Sequence, residues 1–196
     1  MDWKYWGKPL PGFGDPQGRV MILGLAPAAH GGNRTGRMFT GDGSAQFLMA
    51  ALHRFGFANN PTSESVGDGL ELKDTYMTAI VRCAPPKNKP RPNEIVNCRR
   101  YWTQEVSLLR NVQVVLALGR IAFDTYVKFL KELGIESKNL EFRHGAFYEL
   151  PKPYPALCTS YHPSRQNTQT GKLTVKMFDG VLQKICTFLA AEHSKT

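Results

Sequence analysis

The run Val114-Val115-Leu116-Ala117-Leu118 constrains this chain more than any other stretch of it. Five consecutive apolar residues have no polar side. A strand made from them must therefore be covered on both faces, as in the parallel sheets of α/β folds. The strand reads as residues 112–118, and a helical pattern over residues 121–133 follows it. That helix stops at Gly134, a usual place for glycine just past a helix end.

The same alternation runs through the rest of the chain. Strands are predicted over residues 19–25, 75–81 and 156–160. Helices are predicted over 44–55, 92–109 and 174–191, the first capped by Ser44. Apolar residues recur at helical spacing in each helix: Phe47, Leu48, Ala51, Leu52 and Phe55; Ile95, Cys98, Trp102, Val106 and Leu109; Phe178, Val181, Leu182, Ile185 and Leu189. Residues 141–150 read as a small extended excursion. The order β-α-β-α-β-α-β-α predicts one α/β domain over residues 1–196. Its expected form is a three-layer α/β/α sandwich with a central, mainly parallel four-stranded sheet.

Twenty-five Lys and Arg residues stand against 16 Asp and Glu, for a net charge of +9. This balance favours a polyanionic partner, because basic side chains bind phosphates with release of counterions. The longest apolar run falls far short of the ~20 residues that a spanning helix needs. The first nine residues contain no apolar core of a signal peptide. The expectation is an intracellular, cytoplasmic protein and a monomer. Its four cysteines, Cys83, Cys98, Cys158 and Cys186, are then free thiols or metal ligands rather than disulfides.

Open α/β sheets bind ligands beyond the carboxyl ends of their strands. Three loops qualify here: residues 25–43, 82–92 and 161–171. The first is rich in glycine, which lets backbone approach a ligand closely, and it carries Arg34, Arg37 and Phe39. Its spacings match neither a P-loop nor a dinucleotide fingerprint. Phe39 either stacks on a base or plugs into the core. The last loop offers His162, able to donate a hydrogen bond to a developing oxyanion or to act as acid or base. Arg165, Gln166 and Asn167 follow as partners for phosphate and sugar. The middle loop, Cys83-Ala84-Pro85-Pro86-Lys87-Asn88-Lys89-Pro90-Arg91, is stiff and basic, either tracking a nucleic-acid backbone or serving as a rigid connector. No Ser/His/Asp spacing, paired-carboxylate motif or zinc-type Cys-x-x-Cys can be read.

Four ordered segments together resemble family 5 (type b) uracil-DNA glycosylases. They are Tyr5-Trp6-Gly7-Lys8-Pro9 with Pro11-Gly12-Phe13-Gly14; Gly24-Leu25-Ala26-Pro27-Ala28-Ala29-His30-Gly31-Gly32-Asn33-Arg34-Thr35-Gly36-Arg37-Met38-Phe39-Thr40-Gly41-Asp42; Val81-Arg82-Cys83-Ala84-Pro85-Pro86 followed by Cys98; and Tyr161-His162-Pro163-Ser164-Arg165-Gln166-Asn167-Thr168 with Thr170-Gly171. The resemblance implies excision of uracil, and of other deaminated bases such as hypoxanthine, from DNA. It assigns Phe39 to stacking on the flipped base and Gly24, Leu25 and Ala26 to lining the pocket. His162 would face the base carbonyl that gains negative charge, and Arg165 would meet the DNA backbone.

Other families of the group carry Asp or Asn where this chain has Ala26. Asn33 is then the first candidate for orienting water, with Asp42 and His30 behind it. An amide orients water but is a poor base, which fits a dissociative reaction. No lysine nucleophile stands in the matched segments, so base release without strand cutting is expected. The resemblance also implies a 4Fe–4S cluster on four cysteines, two of them matching Cys83 and Cys98. The family's N-terminal Cys-x-x-Cys pair has no counterpart in this sequence, and four thiolates are the normal requirement. Three readings stay open: a pair upstream of residue 1, loss of the cluster, or substitution by Cys158 and Cys186.

Two other functions remain. One is a module that binds damaged or single-stranded DNA without turnover, for which Ala26 and the missing cysteine pair speak. The other is an enzyme acting on free nucleotides.

Overall fold

The computed structural model describes residues 4–136 and 139–194. In chain order the elements are β1 (Phe13–Gly14), β2 (Val20–Gly24), α1 (Gly32–Thr35), α2 (Gly43–Arg54), β3 (Thr75–Ala79), α3 (Pro92–Leu108), β4 (Val114–Leu118), α4 (Arg120–Glu132), β5 (Phe147–Tyr148), β6 (Ala156–Ser160), α5 (Arg165–Gln169) and α6 (Val175–His193). A 3₁₀ turn, Pro86–Asn88, precedes α3.

The strands form one sheet in the order β1-β3-β2-β4-β6-β5. Its centre is parallel: Val20 pairs with Thr75 on one side and Val114 on the other, and Val114 pairs with Ala156. Successive side chains of these strands point to opposite faces. Val20, Ile22, Val114, Leu116 and Cys158 face α2 and α6, where they pack with Leu48, Leu52, Phe178 and Ile185. Met21, Leu23, Val115, Ala117 and Leu157 face α3 and α4 and meet Trp102, Phe123, Tyr126 and Leu130. The unbroken apolar strands thus follow from two helix layers, and the α/β/α sandwich is the observed fold.

Two expectations change. The sheet has six strands rather than four, because β1 and β5 add antiparallel pairs at its two edges. Each is two residues long, too short to carry a readable period. The cap of α2 is Asp42 rather than Ser44: Asp42 is extended and its carboxylate accepts from the Ala45 amide at 2.9 Å. The helix begins at Gly43, which places Ser44 inside the first turn. Elsewhere the boundaries obey local chemistry. Pro92 opens α3, where the Glu94 side chain accepts from the Arg91 amide, and Thr174 caps α6 through the Met177 amide. Gly134 follows α4 with a positive φ of 81°. No helix among the described residues is long and apolar enough to cross a membrane.

Candidate active site

All four central strands point their carboxyl ends to one side, and the three loops singled out above converge there. They enclose a cleft of about 690 Å³. The first loop contributes Leu25, Ala26, His30, Asp42 and Gly43, the middle loop Asn88, and the last loop His162 and Arg165. A second cavity of about 450 Å³ shares Leu25 and His162 and continues past Gly119 to Arg120, Phe142, Tyr161 and Lys172. Cations lie over rings in this second cavity: Arg120 over Phe142 and Lys172 over Tyr161, each at 5.2 Å.

His162 stands two residues past β6 and forms the wall between the two cavities. Its carbonyl accepts from the Ser164 amide and from Asn167 Nδ2, both at 2.8 Å, which fixes the backbone beneath the ring. Ser164 in turn caps α5 through the Asn167 amide. Among the described residues the imidazole itself has no protein hydrogen bond, so its nitrogens are available to the cleft. Burial depresses its pKa, and the Asp42 carboxylate opposes that shift without cancelling it. The ring is therefore neutral at neutral pH, with one N–H to donate.

Of the other predicted residues, Leu25 and Ala26 line the cleft directly, and Ala26 brings no polar group to it. Gly24 ends β2 just before them. Its bare α-carbon accommodates the ring of Phe39, whose backbone takes the left-handed conformation at φ 47°. That ring is half-buried and packs against the small cluster of Leu10, Met38 and Ala79, and neither it nor Gly24 lines either cavity directly. Arg165 is exposed on the rim and its side chain crosses Gly43, where a β-carbon would sit 2.7 Å from Nε.

Asn33 lies on α1, where its carbonyl accepts from the Trp6 amide, and it lines neither cavity. His30 and Asp42 both line the cleft. Tyr5 Oη is hydrogen-bonded to His30 Nδ1 at 2.7 Å, while Asp42 Oδ1 is committed to the α2 cap.

Asn88 is the residue that reading the sequence missed. Set between two lysines and two prolines, it reads as a solvated turn. The one available signal is conformational. Lys87 and Asn88 both adopt φ 55°, and asparagine is among the few residues that tolerate this region. Asn88 lines the cleft, and an asparagine amide carries both a donor and an acceptor.

The thiols divide into two groups. Cys83 is exposed and Cys98 half-buried. They are near enough to interact: burial first, then Cys98 and Glu94, raise the pKa of the Cys83 thiol. Cys158 is buried in β6, and Cys186 lies near Asp74 and Arg19 on α6. A four-iron cluster needs four thiolates. No group of three or more metal-ligating side chains occurs among the described residues, so Cys83 and Cys98 do not fit such a cluster by themselves. Substitution by Cys158 and Cys186 is ruled out by their places in the fold.

Comparison with known proteins agrees with this geometry. Residues 11–186 match the Uracil DNA glycosylase superfamily. A type-5 uracil-DNA glycosylase of Thermus thermophilus is 52% identical over 92% of this chain and 80% of its own length. One from Pyrobaculum aerophilum is 45% identical over 93% of this chain and 77% of its own length. A type-4 uracil-DNA glycosylase of the same organism is more distant, 32% identical over 82% of this chain and 74% of its own length. With its sheet, its three converging loops and these relatives taken together, the chain belongs to the type-5 group of the uracil DNA glycosylase superfamily.

Proposed function

We propose that this protein excises uracil from DNA by hydrolysing the N-glycosidic bond, leaving an abasic site and an uncut strand. The observation that carries the reading is His162, whose ring has no protein hydrogen bond among the described residues, standing at the wall of a cleft that Asn88 also lines. A base inside a duplex is out of reach of such a cleft. It must leave the stack, at a cost of a few kcal/mol that is smallest at a mismatch. Phe39 stacks on the flipped base, and the Asn88 amide reads its edge.

Uracil and hypoxanthine both present a carbonyl next to a ring N–H, so an amide that pairs with one pairs with the other. The pocket therefore accepts deaminated bases as a class.

With uracil, as the bond from the sugar C1′ to the base nitrogen breaks, its electron pair stays with the base and negative charge spreads to the carbonyl beside that nitrogen. His162 donates its N–H to that oxygen, a stabilisation that strengthens as charge develops. Water adds to the electron-deficient C1′ and loses a proton to solvent, and the released base takes a proton up. Departure of the base governs the rate, so the water needs orientation more than activation. His30 and Asp42 line the cleft and are the first loop's candidates for this; Asn33, the amide expected to serve, stands on α1 and lines neither cavity. Arg165 on the rim holds a phosphate of the bound strand.

The test is incubation of the purified protein with a labelled duplex carrying one U·G mismatch, followed by alkali. Alkali-dependent cleavage at the uracil that falls about 10²–10³-fold in His162→Ala is expected. Binding of the same duplex without base release would replace this reading with that of a damage-binding module.

A further inference from the structure

We infer that Asp68 is a positioning residue for Phe39, acting through Arg37 and Thr40. The inference rests on the reading that Phe39 stacks on the flipped base.

Phe39 holds a left-handed backbone, which is rare for a bulky residue and persists only where the surroundings determine it. Those surroundings are a buried polar network that grips the chain on both sides of it. Before Phe39 stands Arg37, 8% exposed. Its guanidinium makes a two-pronged pair with Asp68, Nη1 to Oδ1 at 2.9 Å and Nη2 to Oδ2 at 2.7 Å. Nη2 also donates to Ser63 Oγ at 2.9 Å. Nε donates to the hydroxyl of Thr40, the residue after Phe39, again at 2.9 Å. Thr40 Oγ1 lies 2.7 Å from Ser63 Oγ and 3.1 Å from the Met38 carbonyl, and the Gly41 amide donates to the Ser63 carbonyl. Asp68 is itself held by the amides of Glu64, Ser65 and Leu70.

Every residue flanking Phe39 from 37 to 41 is thus tied into the network or lies next to one that is. The tie runs to a segment, 63–70, that touches neither cavity. A buried ion pair is a poor device for stability alone, since apolar residues of similar volume often serve as well or better. What a fully satisfied pair of this kind does supply is a fixed geometry. Here the fixed geometry is that of the bracket around Phe39. Asp68 touches no substrate; it sets where the stacking ring stands.

The test is a double-mutant cycle on single-turnover excision of uracil from a U·G duplex at saturating enzyme, with the melting temperature of each variant recorded. Asp68→Asn is measured in the wild-type and Phe39→Ala backgrounds. The expected result is a loss of about tenfold from Asp68→Asn when Phe39 is present and less than about twofold when it is absent, with all variants folded at the assay temperature. A purely stabilising Asp68 would lower melting alike in both backgrounds and leave no coupling in the rate. Equal losses in the two backgrounds, or none, overturn the inference while leaving the role of Phe39 intact. A fully active Phe39→Ala enzyme overturns both. Should Asp68→Asn not fold, Ser63→Ala removes a hydroxyl that serves both Arg37 and Thr40, and the same comparison decides.

Discussion

The ring of Phe39 occupies the space that a side chain on residue 24 would need: a β-carbon on Gly24 would lie 2.7 Å from its Cζ and 3.2 Å from its Cε2. Gly24 has no positive φ, so alanine is allowed by the backbone there and excluded only by the ring. Gly24→Ala is therefore a clean steric displacement of Phe39. The expected stability loss is about 1–3 kcal/mol, as for other overpacked sites. Single-turnover uracil excision should fall as well, by a factor close to that of Phe39→Ala. An unchanged rate would show that the ring's place over Gly24 has no bearing on the reaction.

Arg165 lies exposed at the rim of the cleft, its side chain crossing Gly43. Arg165→Ala should weaken duplex binding equally for uracil-containing and undamaged DNA. The slope of log affinity against log salt should become shallower by about 1, the signature of one lost phosphate contact. Binding titrations at several salt concentrations measure both quantities. A loss confined to the uracil duplex would place Arg165 in base recognition instead.

Stability should fall on acidification. His144 is stacked on Tyr161 at 5.0 Å, and its Nδ1 accepts from the Tyr161 amide at 3.2 Å. That nitrogen cannot carry a proton, so Nε2 does, and it donates to the Met177 carbonyl at 3.3 Å. Burial lowers the pKa of His144, Lys184 adds to the effect and the Met177 carbonyl opposes it; His162 is lowered in the same direction. Below the ordinary histidine pKa of about 6.5 the unfolded chain takes up protons that the folded chain refuses, so stability present above that pH is lost as pH falls toward the depressed values. Urea unfolding at pH 7 and pH 5 should show the loss, at most about 1.4 kcal/mol per pH unit for each histidine. His144→Gln should reduce it, and an unchanged pH dependence in that variant would exonerate His144.

Under the sheet, Glu105 of α3 joins three partners: it pairs with the buried Arg82 and accepts from Thr78 Oγ1 and Tyr76 Oη. Burial, with Glu105 beside it, pushes the Tyr76 phenol up to about 12. Glu105→Gln keeps the shape and removes the charge, leaving Arg82 uncompensated. Stability should fall by about 3–5 kcal/mol, measured by denaturant unfolding, because a lone buried charge costs far more than the pair contributes. A loss under about 1 kcal/mol would mean that solvent reaches the cluster.

The parts of this architecture that sequence revealed are those whose cause is local. Val114–Leu118 reads as a doubly covered strand because every residue in it is apolar, and Pro92 and Thr174 mark helix starts by their own chemistry. Strands β1 and β5 are invisible because two residues carry no alternation. Asp42 and Ser44 are both good caps two positions apart, and the choice between them depends on where the glycine at 43 lets the helix begin.

The site divides in the same way. His162 and Arg165 draw notice because their loop at a strand end is of unusual composition, whereas Leu25 and Ala26 are pointed to by the family resemblance; all four line one cleft. Asn88 is hidden by its neighbours, and its place beside the cleft depends on a loop whose left-handed backbone composition does not encode. The partnership of Arg37 with Asp68 spans 31 residues and exists only once the first loop folds against residues 63–70.

The two miniature strands at the sheet's margins have a consequence for behaviour in a crowded cell. A long bare edge offers a row of amides and carbonyls that a neighbouring chain can extend. Here each margin is closed by a reversed pair of residues, Phe13–Gly14 on one side and Phe147–Tyr148 on the other, with no further strand beyond them among the described residues. A second molecule finds no template long enough to copy. A protein with a parallel core, which forms slowly and passes through exposed intermediates, gains from this a guard against sticking to itself while it folds.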